Sequence, residues 1–355
     1  MIPLLSIELE RMGVSSLMNG INTAAGGIAT IIIAPFVPFL AARFGLKQVL
    51  RTSVALAIVT ILAFNAYPHF WVWFGVRFVF GAALGVLFVL SEYWITSTAE
   101  EARRGLVVGL YSTVLAIGFI IGPMVLAASG TFGWPPYLAA AALFSLAFAP
   151  LWLTPDTAPP LESRISPTIM PLIRVAPAAT LAALIFGALE TSSFSQFPIY
   201  GLRLGLDDAN AALLVSYAAL GNLLFQIPIG WLSDKMDRRK VLFCCASLGV
   251  IGNSAMLLVP VSSNWFLALL VAWGGITGAI YTVGLAHLGS RFSGSDMAIA
   301  NSAFVMLYSV GLIAGPPLVG SGMDFAGPQG MPVILGSMLA AYAALVLWRI
   351  KSHRI

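Results

Sequence analysis

PFLAARFGLKQVL, Pro38–Leu50, and GWLSDKMDRRKVL, Gly230–Leu242, lie 192 residues apart, and reading one against the other decides the fold. MGVSS (Met12–Ser16) meets LGLDD (Leu204–Asp208) at the same offset of 192. At 193, GAALG (Gly81–Gly85) meets GGITG (Gly274–Gly278), and GFIIGP (Gly118–Pro123) meets GLIAGP (Gly311–Pro316). An offset that holds within one residue from Met12 to Pro123 marks a duplication in one orientation, as in parallel-repeat membrane proteins. It divides the chain into an N-terminal bundle (1–153), a linker (154–175) and a C-terminal bundle (176–355).

Composition sets the solvent. Of 355 residues 59% are hydrophobic and 9% charged, and mean hydropathy is +0.94. A soluble domain carries about 25% charged residues, so a water-soluble enzyme, a nucleic-acid binder and a disordered chain are excluded. The partner is the lipid bilayer. The net charge of +4 is spread through connections rather than gathered in a basic tail. Cys244 and Cys245 are adjacent and give no disulfide framework. The first residues, MIPLLSIELERMG, have neither the basic start nor the cleavage site of a signal peptide.

Eleven apolar stretches follow: 17–40, 49–67, 70–95, 106–128, 136–153, 177–202, 211–232, 241–259, 265–288, 297–319 and 332–347. Hydrocarbon satisfies no backbone groups, so each predicts a helix rather than a barrel strand. Alternate connections and the C-terminal tail hold fifteen Lys and Arg, the opposite set only Arg11 and Arg203. The positive-inside rule then expects a cytoplasmic C-terminus in a plasma or bacterial inner membrane. Five spans precede the linker and six follow it. The outer end of 177–202 resembles Met1–Gly13, so the expected architecture is eleven of twelve helices, with the first missing.

With these motifs the chain resembles the major facilitator superfamily. GWLSDKMDRRK (Gly230–Lys240) matches its loop signature. PFLAARFGLKQ (Pro38–Gln48) is a degraded copy with Ala42 in place of the acid, and Arg77–Gly81 carries the Arg-x-x-x-Gly pattern. GFIIGP is similar to part of the family's antiporter motif. Arg77 through Ser91, Glu92, Arg104 and Gly105 is most similar to the YcaD-type branch. The resemblance implies an all-α membrane protein with two pseudo-symmetric bundles around a central cavity. It also implies secondary active transport of a small solute by alternating access. It further implies that Asp234 packs at the start of the helix near Gly105, so that Asp234, Arg238, Arg239, Arg104 and Glu101 form a cytoplasmic gate, with Glu92 nearby. Gly118, Gly122 and Pro123, mirrored by Gly311, Gly315 and Pro316, are the expected bending or close-packing positions.

Ionisable residues at membrane depth are costly and point to function. Glu190 lies mid-span, followed by Thr191, Ser192, Ser193, Ser195 and Gln196, and fits a proton-coupling or substrate-binding carboxyl. Arg77 fits an anion-binding group or a structural arginine that satisfies carbonyls. Arg77 and Glu92 share one face about 22 Å apart at 1.5 Å per residue, too far to pair. Tyr281, Trp273, Asn222 and Gln226 complete the expected lining, with Tyr111, Asn301 and Tyr308 as further polar candidates; each alone also reads as helix-packing glue. His287 reads as interfacial, and Asn19, Asn22 and Thr23 are weaker candidates. The three histidines form no HExxH metal motif, and no nucleotide-binding loop is present. The expected protein is therefore a monomeric non-enzyme with a small-molecule substrate, no metal and no cofactor beyond a proton gradient. The alternative is a truncated, non-transporting fragment or scaffold.

Overall fold

The computed structural model describes residues 1–98, 100, 103–153, 177–291 and 294–352; the linker 154–175 and Glu101 lie outside them. Among the described residues every regular element is helical. The chain opens with α1 (Ile2–Arg11), followed by α2 (Ser16–Ile33), α3 (Val37–Phe44), α4 (Leu46–Ala66), α5 (Phe70–Thr98) and α6 (Arg104–Ser129). Next come α7 (Trp134–Leu146) and α8 (Phe148–Leu153), then α9 (Pro177–Arg203), α10 (Asp208–Lys235), α11 (Arg238–Met256), α12 (Asn264–Gly289), α13 (Gly294–Ala326) and α14 (Gly330–Ser352).

Local chemistry sets these bounds. Ser15, Asp207, Asp237 and Ser263 each precede a helix and accept a backbone N–H from its first turn, the usual role of an N-cap. Pro35 forces a 3-10 turn, Ala34–Phe36, so α2 and α3 form one bent rod from Ser16 to Phe44. Gly327, at φ 66°, turns the chain between α13 and α14, a conformation that suits glycine.

Among the described residues eight stretches are long and apolar enough to cross a bilayer, and one of them, Ala303–Ser352, contains two helices. Thr113–Ser129 is a shorter apolar stretch, and α11 carries Asn253, two serines and a basic first turn. These rods coincide with the eleven expected spans. The sequence reading has no rod for α1, which buries Leu4, Leu5, Ile7 and Leu9. Ten residues rise about 15 Å, roughly half the hydrocarbon thickness. Shifted by 192, α1 falls on Phe194–Arg203, the last turns of α9.

Small residues set the packing, since lipid gives helices no hydrophobic reason to associate. A Cβ at Gly311 or Gly315 of α13 would fall on the α9 backbone at Leu184 or Ala188. A Cβ at Gly81 of α5 would fall on Gly26 of α2, and one at Gly221 of α10 on Val271 of α12. The largest buried clusters separate along the chain: one draws on Ala178–Val346, the others mainly on Leu4–Tyr137 and Val37–Leu151.

Candidate functional site

Glu190 lies on α9, and the Tyr308 hydroxyl of α13 donates a hydrogen bond to its Oε2. Gly187, one turn earlier, makes that approach possible, because a Cβ there would meet the Tyr308 ring at 3.1 Å and press on its carbonyl. Phe186, one turn before Glu190, stacks on Tyr308 with centroids 6.1 Å apart and an 18° interplanar angle. Tyr281 of α12 closes the group, 5.2 Å from Phe186 and 5.6 Å from Tyr308. Phe304 backs it, fully buried and 5.1 Å from Tyr281. Glu190, Phe186, Tyr281 and Tyr308 are each half-buried, so the cluster keeps an accessible face.

The structure thus brings Glu190, Tyr281 and Tyr308 together. Tyr111 hydrogen-bonds with Ser91, beside Glu92. Other expected lining residues take different places. Trp273 is buried against Phe197, edge to face at 5.6 Å, and fills the space left by Gly252. Asn222 packs on Gly278, Gln226 is exposed on α10, and Asn301 is exposed on α13. Arg77 is 3% exposed and donates to Asn22 Oδ1 at 3.3 Å, so it joins α5 to α2. Its face, with Gly81 and Gly85, lies against α2 rather than beside Glu190.

A second constellation joins the halves at the face holding Arg11 and Arg203. Arg203 grips Glu10 with two hydrogen bonds, 2.7 and 3.0 Å, the strong bidentate form. Arg11 pairs with Asp208 and donates to the Thr131 carbonyl at 2.7 Å, while the Thr131 hydroxyl donates to Asp208 at 2.5 Å. Asp324, in the last turn of α13, accepts the backbone N–H groups of Ser16 and Leu17 at 2.8 and 2.9 Å. An acid is poorly placed at its own helix C-terminus but well placed at the N-terminus of another helix. Deeper in, Gln196 bridges the carbonyls of Ser16 and Pro316, and Asn19 donates to the Ser195 carbonyl. The Ser216 hydroxyl of α10 donates to the Ile120 carbonyl of α6 at 2.7 Å.

No local pattern marked these cross-half contacts. The repeat does mark two of them: Thr131 and Asp324 are 193 residues apart, Ser16 and Asp208 are 192 apart, and each pair crosses to the other half.

At the Lys- and Arg-rich face, Asp234 pairs with Arg238 of its own loop at 3.0 Å. Arg239 holds Asp237, and that hydrogen bond first, with the Arg239 backbone and charge adding, keeps the Asp237 carboxyl below its ordinary value. His287 is buried beside Asp237, Arg239 and Arg291. The expected gate partner Glu101 and the side chain of Arg104 lie outside the described residues. Gly118 and Gly122 face empty space. With Pro123, they border an apolar cavity of about 250 Å³ whose wall includes Met1–Leu4, Phe144 and Phe194.

A multi-pass helical bundle with a polar site between helices and seams between its halves defines a membrane transporter, and the comparisons agree. The model of the Major Facilitator Superfamily matches residues 1–220 and 179–354, and the chain belongs to that family. It is 24% identical to the MFS-type transporter YfkF of Bacillus subtilis (strain 168), over 99% of this chain and 92% of that protein. It is 22% identical to the MFS-type transporter YcaD of Escherichia fergusonii, over 87% and 80%. Among solved structures it superposes on a mutant form of the nucleoside transporter NupG with a TM-score of 0.80 at 15% identity, covering 98% of this chain and 94% of that one. It superposes on a bacterial homologue of the human lysosomal transporter Spinster, in an inward-facing and occupied conformation, at 0.76 and 14%, covering 99% and 92%. These likenesses give the fold. The family makes the chain a multi-pass membrane transporter, not an enzyme.

Proposed function

We propose that the chain moves a small solute by alternating access, driven by a proton gradient, with Glu190 as the coupling carboxyl. The observation that carries this reading is Glu190, a carboxyl at membrane depth whose hydrogen bond comes from a different helix. Such a group must be neutral while the closed state forms and charged when it faces water. Its link to Tyr308 ties the proton to the packing of α9 against α13.

The charge bias supports a bacterial inner membrane with the C-terminus in the cytoplasm. The Arg11–Arg203 face then lies outside, and the contacts there close the outer entrance of a monomeric carrier. Asp234 serves the opposite state: on rocking, it leaves Arg238 for the start of α6 and latches the cytoplasmic side, with Arg239 and Arg104 near it.

The test is a flux assay in proteoliposomes, reading internal pH with a trapped dye across a panel of cationic, neutral and anionic solutes. At least one solute is expected to move protons in the parent chain and to move none in Glu190→Gln. Proton movement unchanged in Glu190→Gln removes Glu190 from coupling, and silence across the panel favours the non-transporting scaffold.

A further inference from the structure

We propose that the accessible face of the cluster formed by Glu190, Phe186, Tyr281 and Tyr308 takes a lipophilic organic cation. This rests on the transport reading and names its substrate class. An aromatic ring carries negative potential on its face, and rings grouped around a cation hold it more strongly when water is excluded. Here three rings in mutual contact, with centroids 5.2 to 6.1 Å apart, sit beside the Glu190 carboxyl. The fourth ring, Phe304, is fully buried behind Tyr281 and holds it in place. The half-burial of the other three, and of Glu190, leaves surface for a ligand.

The sign of the charge follows from the neighbours. Glu190 accepts a hydrogen bond from Tyr308, which lies against Tyr281. Arg77, the basic residue within a span, is turned toward Asn22 and buried against α2. An anion would meet the Glu190 carboxyl and the negative faces of the rings in a medium that screens poorly. A neutral solute would gain contact area and at most a hydrogen bond to Glu190, without the charge pairing a cation makes.

The test uses the purified full chain in detergent and radiolabelled tetraphenylphosphonium at equilibrium, with tetraphenylborate as a competitor of the same shape and opposite sign. Uridine serves as a neutral competitor with an aromatic base. Binding is expected to saturate, to be displaced by unlabelled tetraphenylphosphonium and to resist both competitors. Glu190→Gln is expected to weaken it about tenfold, equivalent to ~1.4 kcal/mol. Tyr281→Leu should weaken it several-fold while Tyr281→Phe, which keeps the ring face, binds like the parent chain; this pair decides the matter even if Glu190→Gln fails to fold.

Displacement by tetraphenylborate or uridine as strong as by the cation overturns the proposal, as does equal binding in Tyr281→Leu and the parent. Absence of saturable binding, with proteoliposome flux of an anionic or neutral solute, overturns the cation assignment and leaves the transporter standing. Saturable, charge-selective binding without flux of any solute upholds the assignment and removes the transport reading.

Discussion

GFIIGP in α6 and GLIAGP in α13 are two copies of one hexapeptide, yet they meet different surroundings. Gly311 and Gly315 press backbone to backbone on Leu184 and Ala188 of α9, whereas Gly118 and Gly122 have nothing within 4 Å and border the apolar cavity. The difference lies in the neighbour. Helix α9 packs closely along α13, whereas among the described residues no neighbouring helix backbone lies against Gly118 and Gly122. The motif is thus a close-packing surface whose effect depends on the helix beside it, and a repeated motif does not make two hinges. The same dependence on a neighbour holds at the site, where Gly187 of α9 admits Tyr308 to Glu190.

The sharpest way to break this comparison is to fill the paired glycines. Gly315→Leu must push α9 away and is expected to lower the melting temperature in detergent and the yield of monodisperse protein, at the upper end of the ~1–3 kcal/mol that overpacking costs. Gly122→Leu projects into free volume and should leave both near the parent values. Equal damage from the two would mean that the cavity is closed in the working protein. Gly187→Ala comes next. Its methyl displaces Tyr308 from α9, so proton-coupled flux should fall several-fold while the melt moves by less than in Gly315→Leu; unchanged flux would separate the Tyr308 contact from function.

The two outer seams sharpen the comparison at smaller scale. Asp208 is held by side chains, and Arg11 and Asp208 are each about one-third exposed (32% and 33%). Asp208→Asn should therefore cost about 0–1 kcal/mol, and less at high salt. Asp324 is held by amides, so the loss in Asp324→Asn should be similar in size but nearly independent of salt. Equal salt slopes in the two melts would erase the distinction. The smallest effect concerns acid. Asp237 titrates below its ordinary value of 3.8 because Arg239 holds it. A depressed carboxyl stabilises the fold above its unfolded value and loses that contribution as pH falls through the folded one. Melts should therefore show a slight Asp237-dependent decline only below about pH 4, absent in Asp237→Asn.

Much of the architecture was legible because lipid imposes long uninterrupted rods and a duplication repeats their spacing. Helix α1 was not: Glu8, Glu10 and Arg11 sit beside its buried leucines, and ten residues vanish in any window long enough to find a span. Around Glu190, the acid and its tyrosine were visible as polar residues in apolar runs. Their meeting was not, because it depends on a glycine one turn away and on a helix 118 residues further along. Trp273 and Asn222 were read by residue type alone, and type does not say which side of α12 or α10 faces the core. The seams were hidden for a similar reason, since Asp324 and Ser16 are 308 residues apart.

Asp324 takes hold of main-chain amides, not of a side chain. Any residue except proline at positions 16 and 17 supplies the same two donors, so one side of this junction is indifferent to mutational drift. Selection has only a single position to guard there. The junction built on Arg11, Thr131 and Asp208 asks three residues to change in concert, and across a diverging lineage it should be the first of the two to be rewritten.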